Sequence, residues 1–165
     1  MQGVSQADPV PLLRLVPLTR AHAEDICTWR YPAPYDCYDM TGAHPDGLLA
    51  QGTGFWALTT DDRLVGFRSF GRDGQVPGWQ YDNSALDTGG GLRPELVGRG
   101  WGRRAISTGL ALGRELHAPA AFRVTVASFN LRALRTVESL GFVRIAQFHA
   151  SPTGQPFDVL IRSES

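Results

Sequence analysis

The chain has 165 residues, 42% hydrophobic and 19% charged, enough apolar content for a buried core and too much for wholesale disorder. Its formal charge is zero, with sixteen Arg, no Lys and sixteen acidic residues, which counts against a generic polyanion binder because non-specific nucleic-acid affinity needs a basic excess. The zero is a sum over unlike parts: residues 1–92 hold six Arg and eleven carboxylates, residues 93–165 ten Arg and five carboxylates.

Further classes fall away quickly. Met1 to Pro11 has no basic n-region or long apolar run, so no secretory signal is expected. No stretch of 18 apolar residues offers a membrane span. Cys27 and Cys37 lack metal-ligand spacing and suit small core positions in a reduced, cytoplasmic protein. His22, His44, His117 and His149 show no paired spacing, so no metal site is expected.

In chain order, Leu12 to Leu18 alternates like an edge strand, and Thr19 caps a helix running to about Trp29. Residues 30–53 are irregular or weakly helical. Phe55 to Thr60 and Leu64 to Phe70 form a hairpin around Asp61-Asp62-Arg63. Gly71 to Ser84 is a polar loop, and Ala85 to Leu92 a strand despite its glycine triplet. Gly100 to His117 is a helix with Ile106, Leu110 and Gly113 on one face and Ala105, Leu112 and Leu116 beside it. Phe122 to Val126 is a buried strand. Asn130 caps a helix from Leu131 to Leu140, and Gly141 supplies the left-handed residue that ends it. Val143 to Phe148 and Phe157 to Ile161 close one α/β domain, spanning 1–165, with a mixed sheet.

The most informative stretch is Val97-Gly98-Arg99-Gly100-Trp101-Gly102-Arg103-Arg104, where alternate glycines open a helix after a broken strand. Glycines let a ligand approach the backbone, and the first helical turn offers unpaired N–H groups and a partial positive charge. On the glycines alone, a phosphate cradle and a plain turn with solvated arginines fit equally well. A P-loop is excluded by the absence of Lys. A dinucleotide fingerprint is excluded by the spacing, since Gly98, Gly100 and Gly102 alternate strictly.

The turn resembles the Gln/Arg-x-x-Gly-x-Gly/Ala motif of the GNAT superfamily of N-acetyltransferases at both glycine positions, Gly100 and Gly102, with Val97 where the family carries Gln or Arg. A second family signature, Asn then Ala then Gly-Phe, is matched by Asn130, Ala133 and Gly141-Phe142. The resemblance covers Leu64 to Val143. It implies a central sheet flanked by helices and splayed between the strands ending at Leu92 and near Ala127, forming a slot for acetyl-CoA. The backbone of Gly90, Gly91 and Leu92 would meet the pantetheine arm, and the amides from Gly98 through Arg99, Gly100, Trp101 and Gly102 to Arg103 the pyrophosphate. Asn130 would orient the slot wall.

The same resemblance implies direct transfer of an acetyl group to a primary amine, either a small molecule or a peptide N-terminus. Family members often carry an acidic Tyr four residues before Gly-Phe; Val137 stands there instead, which keeps a non-catalytic acyl-CoA-binding module as the alternative. Asp87 is the candidate base, and a strand-end hydrogen-bonding residue fits it as well. Tyr81 and Asp82 are weaker candidates. Trp29, Tyr31 and Tyr35, in a segment shared with Asp36 and Asp39, would border an ammonium-bearing acceptor or merely cover the sheet edge. No nucleic acid or membrane partner is expected. A homodimer is compatible with the sequence and is not decided by it.

Overall fold

A computed structural model describes residues 12–40 and 42–164; the Met1–Pro11 stretch considered above lies outside them. After β1 (Arg14–Pro17), Thr19 starts α1 (Arg20–Cys27) through a reciprocal box. The His22 N–H donates to the Thr19 hydroxyl at 3.2 Å, and the Thr19 N–H donates to His22 Nδ1 at 3.1 Å. Ala23 and Ile26 are thereby turned into the core.

Residues 30–53 contribute one 3-10 turn (Tyr35–Tyr38) and the short α2 (Pro45–Leu49). β2 (Phe55–Thr60) and β3 (Arg63–Phe70) then form the expected hairpin. Its turn residues Asp61 and Asp62 both have positive φ, 48° and 61°, the tight-turn geometry that matches strand twist.

β4 (Leu86–Leu92) leads to α3 (Gly102–His117), followed by β5 (Ala121–Ala127), α4 (Leu131–Ser139), β6 (Val143–His149) and β7 (Pro156–Ser163). α3 begins two residues later than expected because Gly98 and Gly100 hold φ of 78° and 84°, which a helix cannot include. Its buried face is Ala105, Gly109, Leu110 and Gly113, while Leu116, expected beside that face, is 46% exposed. Cys37 is exposed rather than in the core.

The seven strands run in the order β1-β2-β3-β4-β5-β7-β6, antiparallel throughout except for β4 beside β5. Helices α3 and α4 cover one face, packing Leu110, Leu134 and Val137 on Phe122, Val124 and Leu160. On the other face α1 and α2 pack on Ala57, Leu64 and Phe67. That face continues beneath Tyr38, Val76, Trp79 and Phe129, which lie against Phe148, Phe157 and Val159. The sheet thus separates apolar clusters on its two faces. No helix among the described residues is long and apolar enough to cross a membrane.

Candidate active site

Among the described residues, the one parallel strand pair also shares the fewest rungs. β4 and β5 share two rungs, Leu86 opposite Phe122 and Asp87 opposite Arg123, and no further pairing although each strand runs on for several residues. The sheet is therefore a V with its apex at Asp87 and Arg123, and the backbone of Thr88 to Leu92 faces the gap from one arm. Gly90 holds φ +155° here in unbroken register with Arg68; a Cβ at this position would run into the Phe67 carbonyl and sit 2.7 Å from Arg68 Nη1.

Asp87 does not present a free carboxylate to this gap. It is 3% exposed, its Oδ1 accepts from Arg123 Nε at 2.7 Å, and its Oδ2 accepts from Arg123 Nη2 at 2.8 Å and from Gln75 Nε2 at 2.9 Å. Arg123 also donates to the carboxylate and backbone carbonyl of Asp82, and its guanidinium lies 5.5 Å from the Trp79 ring centroid and 5.2 Å from that of Tyr81. A carboxylate so buried and so fully engaged cannot meet an incoming ammonium. Asp87 is instead the clasp that closes the apex. Asp82 is the exposed acid nearby; hydrogen bonds from Ser84 and then from Arg123 hold it at a pKa of about 2, a permanent anion and a poor base.

At the open end, β4 delivers the chain to the start of α3. Trp101, the N-cap, makes no side-chain capping bond, and the first turn carries no acid but includes Arg103 and Arg104. Gly98, Arg99, Gly100 and Arg103 are exposed there, with Val97, Trp101 and Gly102 half-buried. Nothing lies within 4 Å of where a Cβ would project from Gly100 or Gly102, so the space above this helix end is open to a ligand. Arg132, from α4, reaches the same turn. Its guanidinium would lie 3.3–3.5 Å from a Cβ on Gly98, and it sits 5.8 Å from the Tyr35 ring centroid.

The aromatic segment is placed at the gap, residue by residue in different ways. Trp29 is 4% exposed; its Nε1 donates to Asp25 and its ring packs by Phe67, so it belongs to the core and not to a substrate wall. Tyr31 donates its hydroxyl to the Leu92 carbonyl on β4 at 2.6 Å. Tyr35 packs edge-on against Phe129, and the Tyr38 hydroxyl accepts from Asn130 Nδ2 at 3.1 Å beyond the end of β5. The segment therefore spans from one arm of the V to the other. Asn130 has a second duty, capping α4 by accepting from the Ala133 N–H at 3.2 Å.

Burial, joined by the charges of Asp39 and Glu95, pushes the Tyr31 phenol up to about 12. The folded state thus holds this proton more tightly than the unfolded chain, whose phenols titrate near 10, so its stabilising contribution is full below pH ~10 and is lost toward pH ~12. In a titration followed by phenolate absorbance, Tyr31→Phe should remove one late-ionising tyrosine and lower stability by about 1 kcal/mol at neutral pH.

Beside the clasp, Arg72, Gln75, Val76, Pro77, Trp79 and Tyr81 line an open cleft of about 310 Å³. In the sequence this polar loop offers Tyr81 and Asp82 as weaker base candidates but gives no sign of the cleft. The signal lay in β5, where Arg123 interrupts an apolar run that must be buried and therefore demands partners of opposite charge and aromatic faces.

A mixed sheet parted at a parallel seam, with a glycine-opened helix end at its mouth, defines an α/β architecture with an open slot between two arms. A profile of the acetyltransferase (GNAT) family matches residues 19–142, and the chain belongs to that family. No curated protein matches the chain. Among solved structures, a chimera of the spermidine N-acetyltransferase SpeG from Vibrio cholerae and hSSAT superposes with a TM-score of 0.72 at 17% identity, covering 92% of this chain and 95% of that one. The acetyltransferase yncA from Salmonella typhimurium, solved with acetyl-CoA, gives 0.67 at 16% over 93% and 94%. AAC(6')-Ib, solved with ribostamycin and coenzyme A, gives 0.70 at 15% over 92% and 93%. At these identities the likeness is one of fold.

Proposed function

We propose that the chain transfers an acetyl group from acetyl-CoA to a primary amine by direct attack. The observation that carries this reading is the α3 N-terminus, without a side-chain cap, flanked by Arg99, Arg103 and Arg104, and following the strand that parts from β5. Its first-turn amides, which no side chain caps, suit a pyrophosphate, and the edge of β4 at Gly90 and Gly91 that β5 does not pair suits a pantetheine arm. The bound thioester supplies the acyl group. The chain's own residues fix the geometry: the Asp87–Arg123 clasp sets where the gap begins, and Asn130 anchors the opposite wall.

On the acceptor side, the exposed carboxylate of Asp82 favours a cationic amine, with Tyr31 and Tyr35 at the edge of the gap. Asp87 acts as a positioning residue through Arg123, and the amine's proton leaves through solvent. Both cysteines are free, which suits the reducing cytoplasm.

Calorimetry with CoA, followed by release of CoA thiol in the presence of amines, tests the proposal. Spermidine, after which one structural neighbour is named, and ribostamycin, bound in another, are the first acceptors to offer beside a peptide N-terminus. Turnover with any amine supports the enzyme. Tight CoA binding without turnover across the panel would favour the second reading, a binding module, for which Val137 in the position of the family's acidic tyrosine speaks.

A further inference from the structure

Two arginines are buried at the apex of the V, and they are treated oppositely. Arg123, 1% exposed, is met by Asp87 and Asp82 on the face carrying the cleft. Arg68, 6% exposed, lies on the other face beneath α3 and forms no ion pair among the described residues. Its Nη2 reaches only the Thr88 hydroxyl, at 3.4 Å, and its Nε has no partner. Burial alone pulls its pKa down to about 10, so the group is still cationic at neutral pH.

Its surroundings are shaped to admit it. Arg68 is the register partner of Gly90, and a Cβ on Gly90 or Gly109 would come within 2.7 Å of Nη1 or 2.9 Å of Nε respectively. Thr88, its one partner, is the first residue of β4 beyond the last rung shared with β5. An uncompensated cation therefore stands at the inner end of the gap. Leu110, Val124 and Val137 make the rest of this face apolar. Burying such a charge is unfavourable unless an anion comes to it.

Building on the proposed acetyl transfer, we propose that Arg68 stabilises the negative charge that gathers on the CoA sulfur as the acyl group departs. In that step the amine nitrogen forms the new C–N bond, the C–S bond breaks with its electron pair passing to sulfur, and the proton lost from nitrogen goes to water. Sulfur leaves as the thiolate. A neighbouring hydroxyl acid is then unnecessary, which accounts for an apolar Val137. The fixed guanidinium needs no proton to do this work and no reorganisation during the step.

The test reads the thiol itself and needs no acceptor. The thiolate absorbance of CoA bound to the full protein is followed against pH, beside free CoA. The bound thiol should titrate about one unit or more below the free thiol. In Arg68→Met the shift should reverse to above the free value, because only apolar burial remains, while CoA affinity at pH 6 changes less than about threefold since the phosphates are held at α3. Arg68→Lys should restore a downward shift in part. A thiol that titrates in the wild-type complex as it does in free CoA, or a downward shift that survives in Arg68→Met, overturns the proposal while leaving donor binding intact. Failure of the wild-type protein to bind CoA would overturn the acetyl-transfer reading and this proposal with it.

Discussion

Arg123→Met is expected to lower the folding free energy by about 3–5 kcal/mol, the usual consequence of stranding one member of a buried ion pair. Arg123 is 1% exposed, and its loss leaves Asp87, itself 3% exposed, with only the Gln75 amide. For a chain of this size the melting temperature should fall by roughly 10 °C. Replacing both partners, as in Asp87→Leu with Arg123→Met, should recover at least half of the loss, because no unpaired charge is then buried. Denaturant unfolding of the four proteins measures the coupling directly. If Asp87 were instead the proton acceptor, Asp87→Asn would abolish the acidic limb of the pH–rate profile; that limb should persist. A stability loss below about 1 kcal/mol for Arg123→Met would show that the pair does not hold the apex.

Gly102→Val should weaken CoA binding by ten- to a hundredfold, the loss of one or two charge-assisted hydrogen bonds. Gly102 is the better probe of the helix end than Gly100. A side chain at Gly100 would be forced into φ +84° and cost about 1–2 kcal/mol in backbone strain regardless of any ligand. Gly102 has no such φ, and its Cβ would meet nothing within 4 Å. The unliganded protein should therefore melt within about 2 °C of wild type while calorimetry records the lost affinity. An unchanged Kd would remove the phosphate-cradle assignment.

The strands and helices that carry the gap were legible because their signals are local. Asp61-Asp62 announces a hairpin turn, Asn130 a helix start, Gly141 a helix stop, and the alternation of Gly98, Gly100 and Gly102 a turn with room above it. The exact start of α3 was not, because which glycines adopt positive φ depends on how β4 leaves the sheet. The α1 cap was found at Thr19, yet its reciprocal partner is His22, outside the usual Glu or Gln pattern.

The chemistry was harder to read because it is made between distant segments. Asp87 was recognised as important, but its role depends on Arg123, 36 residues away, and on Gln75 from a loop without periodic pattern. Trp29 shares a segment with Tyr31 and Tyr35, yet α1 turns it toward Phe67 and away from the gap. Arg68 sits in a strand, Leu64 to Phe70, that is apolar but for Ser69, and that company alone marks it.

The segment from Tyr31 to Tyr38 has a bearing on timing. It is fastened to Leu92 on one arm and to Phe129 and Asn130 on the other, and Asp39 closes it by accepting from the Tyr31 N–H at 2.8 Å. The width of the gap is thus set by contacts within the chain itself. A donor entering it has little loop to order, so association should be a single rapid phase whose rate climbs in proportion to ligand concentration, without the plateau that a slow opening step would impose.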